Sequence, residues 1–241
     1  MLTLVGPGST VHFTSLSRAS MASLQSQLAS SSSQGSAVAA AFELHSDSVL
    51  TVAAARGVER SQICLLDPKA PHALTSRDFR RTAPADGKQD IVDGPFDWFL
   101  FGGILGDDPP RDRTASLREL GFPRRHLGGM QMTTDTALGV TKRVVEDGFR
   151  LDLADTQKDE ADAAAAEGKA DIGELGPAFG FIDQPELVFG KGEAVEMPFR
   201  YMPETEGDAH ASNQSSQAPR PLMPPGMREL IRKDLDRSFE F

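Results

Sequence analysis

The stretch FDWFLFGGILGDDPPRDR, residues 96–113, decides the fold class. Phe96 to Phe101 are almost wholly apolar and aromatic, the composition of a strand buried on both faces of a parallel sheet. Gly102 and Gly103 end that strand, and Gly106 to Pro110 form a rigid loop beyond it. Thr114 stands where a helix N-cap belongs, ahead of ASLREL, and Gly121 stands where that helix stops. The pattern predicts an α/β core with a mostly parallel sheet flanked by helices.

A second unit of the same kind follows. LGGMQM, residues 127–132, reads as a glycine-containing strand edge, and TTDTALGVTKRVVEDG reads as a helix. Ala137, Val140, Thr141, Val144 and Val145 fall at helical spacing behind the capping candidates Thr133 and Thr134, and Gly148 closes the helix. Upstream, ICLLDP at 63–68 is a short buried strand stopped by Asp67-Pro68. STVHFTSL at 9–16 is another short strand. Arg124, Arg125 and His126 make a small basic spot that could meet a carboxylate or a phosphate, with solvated surface as the commoner fate.

Between these islands lie weak sequences. Residues 17–36, rich in Ser, Gln and Ala, are a linker or a weak helix, and residues 152–175 are an acidic, Ala-rich insertion. The expected division is a domain over 1–202 carrying both insertions, a disordered linker over 203–221 and an amphipathic C-terminal helix within 222–241. Met227, Leu230, Ile231, Asp234 and Leu235 trace one face of that helix.

Composition removes several classes of function. The 241 residues carry 25 Lys+Arg against 35 Asp+Glu, a net charge of −10, which is a poor basis for gripping nucleic acid through its phosphates and a good one for meeting basic protein segments. A single cysteine, Cys64, excludes an intrachain disulfide and suits a reducing, cytoplasmic compartment. No apolar run reaches the length of a membrane helix. Dinucleotide, P-loop and GxSxG spacings do not occur. The histidines, His12, His45, His72, His126 and His210, are dispersed, with no HExxH and no Cys/His cluster, so no metal site is expected.

Paired glycines after strands let a ligand approach the backbone closely, and two such units at neighbouring strand ends would line one pocket. On spacing alone, ordinary glycine turns and helix caps are the more economical reading. EAVEMPFRYM, residues 193–202, offers Glu193, Glu196 and Arg200 around an apolar centre, either as a substrate clamp or as an edge strand with solvated charges.

Taken together, GGILGDDPPRDR, LGGMQMTTDTAL, FIDQPELVFGKGEAVEMPFRYM, ICLLDP and PPGMRELIRKD resemble one family: the SPOUT-type S-adenosylmethionine-dependent methyltransferases, in their eukaryotic protein arginine methyltransferase branch. The resemblance covers about residues 60–150 and 178–237. It implies a trefoil-knotted α/β fold, which topology rules alone would reject because knots are nearly absent from proteins. It implies S-adenosylmethionine as cofactor, bound bent between two loops. Phe101, Gly102, Gly103, Ile104, Leu105 and Gly106 would form one loop, and Leu127, Gly128, Met130, Met132, Thr133 and Thr134 the other. The substrate it implies is an arginine of a basic protein, specifically a small-subunit ribosomal protein, and the enzyme would be monomeric.

A cationic guanidinium needs carboxylates to hold it. Asp107 and Glu196 are the catalytic candidates, and Asp108, Glu193 and Arg200 the substrate-binding ones; no metal is required. Family members begin with a further strand and helix, so the first strand is expected to be missing here. Two other readings remain at this point: an RNA methyltransferase, which the charge disfavours, and a catalytically silent ribosome-binding protein.

Overall fold

The computed structural model describes residues 1–32, 39–80, 94–103, 112, 114–151, 177–190, 192–204 and 219–238. Within them the chain forms a mixed α/β fold. β3 (Ile63–Leu66) is its centre, with all four residues buried, as an apolar run flanked by parallel neighbours must be. β4 (Trp98–Leu100) pairs with β3 on one side and β5 (Arg124–Arg125) pairs with it on the other, both parallel. The chain therefore leaves β3 for one flank and returns on the opposite flank. Such a reversal of strand order opens a crevice at the carboxyl ends of the strands.

A second parallel pair joins β1 (Thr10–Phe13) to β2 (Ala41–Leu44). Two antiparallel pairs complete the sheet structure: β6 (Ile182–Asp183) with β9 (Arg200–Tyr201), and the hairpin β7 (Glu186–Gly190) with β8 (Glu193–Glu196). The helices are α1 (Leu2–Val5), α2 (Arg18–Ser32), α3 (Val49–Ala55), α4 (Ala115–Glu119), α5 (Thr134–Val145) and α6 (Met227–Ser238). Two apolar clusters form the core. One gathers Cys64, Leu66, Phe96 and Leu127 against Val140 and Val144 of α5. The other packs Ile63 and Leu65 against Val49 and Ala53 of α3 and Phe122. Successive residues of β3 thus feed opposite layers, which is how a two-faced strand ties helices to both sides of a sheet.

Several sequence expectations change. The strand expected over 96–101 is three residues long, lies at the edge of its sheet, and is half-buried rather than buried on both faces. LGGMQM is no strand. Its one ladder contact is a bridge from Met132 to Arg200. The strand beside β3 is instead Arg124–Arg125, and these arginines are half-buried and paired to Asp67 and Asp78 rather than solvated. Thr114 makes no cap bond to its helix; its hydroxyl donates to Asp112 and Asp67 instead. The Ser-rich segment is helical over Arg18–Ser32. The acidic insertion at 152–175 and most of the linker at 203–221 lie outside the described residues. On α6, Leu230 of the expected apolar face is 53% exposed.

Candidate functional site

The C-terminal ends of β3 and β4 and the segment after β5 meet the start of α5 around one cavity of about 340 Å³. That volume lies in the range of small-molecule sites. Leu66 to Lys69 come from the end of β3, Phe101 and Gly102 from the end of β4, and Leu127 to Met132 from the loop after β5, with Thr134 and Ala137 on α5. The two glycine units, distant in sequence, therefore share one cleft. Gly102 and Gly128 line it, and at the adjoining Gly103 and Gly129 an added Cβ would meet nothing within 4 Å.

The second loop is held by backbone bonds at both ends. The Gly128 N–H donates to His126 Nδ1 at 3.1 Å, and the Arg200 N–H donates to the Gln131 carbonyl at 2.9 Å. Gly128 adopts φ 114°, a conformation closed to most side chains. Thr133 then caps α5, accepting from the Thr136 N–H. The next residue, Thr134, presents the opposite situation. Its hydroxyl is sealed from solvent at the cavity wall and has no hydrogen-bond partner among the described residues. A buried hydroxyl without a partner is costly, and here it adjoins an apolar space large enough for a ligand.

A charge network forms the polar wall. Asp67 is fully buried and accepts from Arg118 Nε at 2.7 Å and from Arg124 Nη1 at 2.9 Å. Asp112 accepts from Lys69 Nζ at 2.7 Å and from Arg118 Nη2 at 2.9 Å. Burial alone would raise the Asp67 carboxyl, but the bonds from Arg118, the Lys69 N–H and Arg124 outweigh it and hold it below the usual carboxylate range. Hydrogen bonds from Lys69 and then Arg118 hold Asp112 lower still. On sequence alone Asp67-Pro68 is only the stop of a strand, and Asp112 is assigned no role in the site. The rule that ligands gather at strand carboxyl ends was the available signal for both.

Of the cofactor candidates, Phe101, Gly102, Leu127, Gly128, Met130, Met132 and Thr134 line the cavity; Gly103 and Thr133 adjoin it in sequence without lining it. Ile104, Leu105, Gly106, Asp107 and Asp108 lie outside the described residues. Glu193 and Glu196 stand on the β7–β8 hairpin and do not line the cavity. Arg200 is buried, and its guanidinium is held side-on by Asp183 at 2.5 and 2.7 Å and stacked over Phe181. Its backbone, rather than its charged end, supports the site. Behind it, burial, with a smaller contribution from Asp135, pushes the Tyr201 hydroxyl up to about 12.

The family model described as "Protein arginine N-methyltransferase SFM1-like" matches residues 1–238. The chain belongs to this family. Protein arginine N-methyltransferase SFM1 of Saccharomyces cerevisiae is 36% identical over 183 residues, covering 74% of this chain and 62% of that protein. The match thus spans less than two-thirds of the relative's length. The crystal structure of the yeast arginine methyltransferase SFM1 complexed with SAM is similar at a TM-score of 0.59 and 29% identity, over 93% of this chain and 77% of that one. The yeast structure complexed with SAH gives a TM-score of 0.56 and 28% identity, over 91% and 79%. The resemblance read from the glycine motifs and this family match agree on the arginine methyltransferase branch.

Proposed function

We propose that this chain transfers a methyl group from S-adenosylmethionine to an arginine side chain of a protein. The sharing of one cleft by Gly102 and Gly128, in a chain of the SFM1-like family, carries this reading.

The residues fit the cofactor. Gly102 and Gly128 admit it against the backbone, Phe101, Leu127, Met130 and Met132 offer apolar contact to a base, and the Thr134 hydroxyl lacks a partner that a ligand's polar edge would supply. S-adenosylmethionine supplies an already activated methyl group, so the protein's task is positioning. Among the carboxylates, Asp107 closes the first glycine loop in sequence and is our first choice to hold the guanidinium, with Glu196 second. Asp108 and Glu193 are assigned to substrate contact, whereas Arg200, its guanidinium held by Asp183, supports the site through its backbone. The Asp67–Arg118–Asp112 network, anchored on buried Asp67, keeps the cavity's polar wall fixed while substrates exchange.

We extend the reading in four respects. The fold is a trefoil knot, supported by the reversal of strand order at β3. The substrate is a small-subunit ribosomal protein, supported by the net charge of −10 against a basic partner. The enzyme is a cytoplasmic monomer. Residues 1–202 form the methyltransferase domain, and α6 is an appended element beyond the linker.

Incubating the protein with radiolabelled S-adenosylmethionine and ribosomal proteins, then splitting the sample between ribonuclease and protease, tests this. Label that survives ribonuclease and is lost to protease, and that hydrolyses to methylarginine, supports it. Label lost to ribonuclease, or no label at all, overturns it.

A further inference from the structure

The histidines that look dispersed in sequence are not all dispersed in space. The parallel register of β1 and β2 sets His12 directly beside Glu43. His45 lies two residues after Glu43, which returns it to the same face. Three donor atoms converge there. His12 Nδ1 is 3.3 Å from His45 Nε2 and 3.6 Å from Glu43 Oε2, and His45 Nε2 is 3.2 Å from Glu43 Oε2. From this geometry we infer that His12, Glu43 and His45 bind one divalent transition-metal ion of the zinc class.

The dimensions are those such an ion demands. A tetrahedral ion with bonds of about 2.0–2.1 Å holds its ligand atoms about 3.4 Å apart along each edge. The observed triangle brackets that value, so an ion seated just off its plane reaches all three atoms without moving the strands. The donor set is selective. Two imidazoles and one carboxylate suit zinc, cobalt, nickel or copper, whereas calcium and magnesium require oxygen ligands. Three protein ligands leave a fourth position for water.

The ligands are also held in place. The His12 ring stacks on Trp98 at 4.8 Å between centroids with 13° between planes, which fixes its orientation and ties the β1–β2 pair to β4. His12 and His45 are mostly buried, while the Glu43 side chain is 37% exposed and leaves an entry path. Without an ion, a proton on one of the two ring nitrogens can link the rings, whereas an ion would let both nitrogens and the carboxylate act together as lone-pair donors. The Arg56 guanidinium bonds the same Glu43 oxygen. It competes with the ion, and the second carboxylate oxygen gives it an alternative partner. None of the three ligands lines the cavity described above, so the inference stands apart from the methyltransferase reading.

The chain's single tryptophan is itself the probe, because it touches a ligand. Cobalt(II) chloride titrated into the full chain should quench Trp98 fluorescence saturably at one equivalent and bring up tetrahedral ligand-field absorption. Zinc chloride should displace the cobalt and restore emission. Glu43→Gln and His45→Ala should each weaken binding at least about tenfold, the least that losing even an outer-shell partner costs, whereas His72→Ala should leave it unchanged. Circular dichroism and thermal melts keep the comparison to folded variants, and His45→Gln replaces the alanine variant if that one melts early. Arg56→Gln should tighten binding. Absence of saturable quenching below millimolar cobalt overturns the inference. Quenching with an unchanged midpoint in His45→Ala also overturns it, since that would place the ion on other surface groups.

Discussion

Arg118 clasps Asp67 side-on, with Nε 2.7 Å from Oδ2 and Nη2 3.3 Å from Oδ1. The same Nη2 reaches Asp112. One guanidinium thereby joins the turn after β3, Asp112 three residues ahead of α4, and α4 itself at the wall of the cavity. Planar bidentate geometry is something only arginine supplies.

Breaking that clasp should cost stability out of proportion to its size. Asp67→Ala leaves Arg124 without its carboxylate and Arg118 with Asp112 alone, beside a buried site. Removing one partner of a buried pair typically costs 3–5 kcal/mol, and because both arginines reach solvent we expect about 2–3 kcal/mol here. Arg118→Lys keeps the charge but loses the fork, and should cost about 1 kcal/mol. Urea denaturation measures both. A loss below about 0.5 kcal/mol for Asp67→Ala would put it among ordinary surface substitutions and remove the network from the account.

The same network fixes the sign of the acid response. Asp67 and Asp112 both titrate below the ordinary value of 3.8 in the folded chain. The unfolded chain therefore binds more protons than the folded one as pH falls through 3.8 and below. The stabilisation is fully present above that pH and is lost as pH drops toward the folded-state values. The contribution of these two carboxylates to melting temperature should be flat from about pH 7 to pH 5 and fall steeply below about pH 4. Asp67→Asn should lower the plateau and flatten the descent. An unaltered acid limb in that variant would show that other carboxylates control it.

Gly128 separates cofactor fit from folding. At φ 114° an alanine is strained by roughly 1–3 kcal/mol, and its methyl group would narrow the cavity that Gly128 lines. Calorimetry should show S-adenosylmethionine affinity falling about tenfold or more, the equivalent of about 1.4 kcal/mol. Gly103→Ala is the contrast, because the added Cβ meets nothing within 4 Å. It should change stability by no more than about 0.5 kcal/mol. Full affinity in a folded Gly128→Ala variant would move the cofactor elsewhere.

The sequence made some of this architecture legible and hid the rest for physical reasons. ICLL announces β3 because an apolar run of four ending in Asp-Pro has few other uses. α5 is legible because Val140, Thr141, Val144 and Val145 share one buried stripe behind Thr133. Arg124–Arg125 gives no strand signal at all; it becomes a strand because Asp67 and Asp78, far away in the chain, neutralise it. VLTVAA shows no period in a window so short, and Ser48 capping makes it a helix. The convergence of Gly102 with Gly128 is suggested by two similar motifs, yet only the order β4–β3–β5 brings them to one cleft. The grouping of His12 with Glu43 depends wholly on the β1–β2 register, which no local pattern encodes.

Thr134→Val tests whether the orphan hydroxyl serves a ligand. The substitution removes a buried group that makes no hydrogen bond in the free protein. Stability without cofactor should be unchanged or rise by up to about 1 kcal/mol, since no satisfied bond is lost. Affinity for S-adenosylmethionine should nevertheless fall, by about fivefold to tenfold for one neutral hydrogen bond. Opposite signs in the two measurements distinguish a ligand contact from a packing role. A parallel loss of stability and affinity would mark the hydroxyl as structural.

Asp107→Asn bears on the chemistry itself. The change keeps the side chain's size and removes its charge, so a neutral cofactor-loop role would survive it. A carboxylate that holds a cationic guanidinium would not, because the charge-assisted bidentate bond becomes a single neutral one. The expected signature is a fall in turnover of about a hundredfold, corresponding to some 2.7 kcal/mol at the barrier, with S-adenosylmethionine affinity within about twofold of the parent. Equal losses in turnover and cofactor affinity would assign Asp107 to the cofactor. Intact turnover would pass the guanidinium to Glu196, and the Glu196→Gln variant should then show the loss instead.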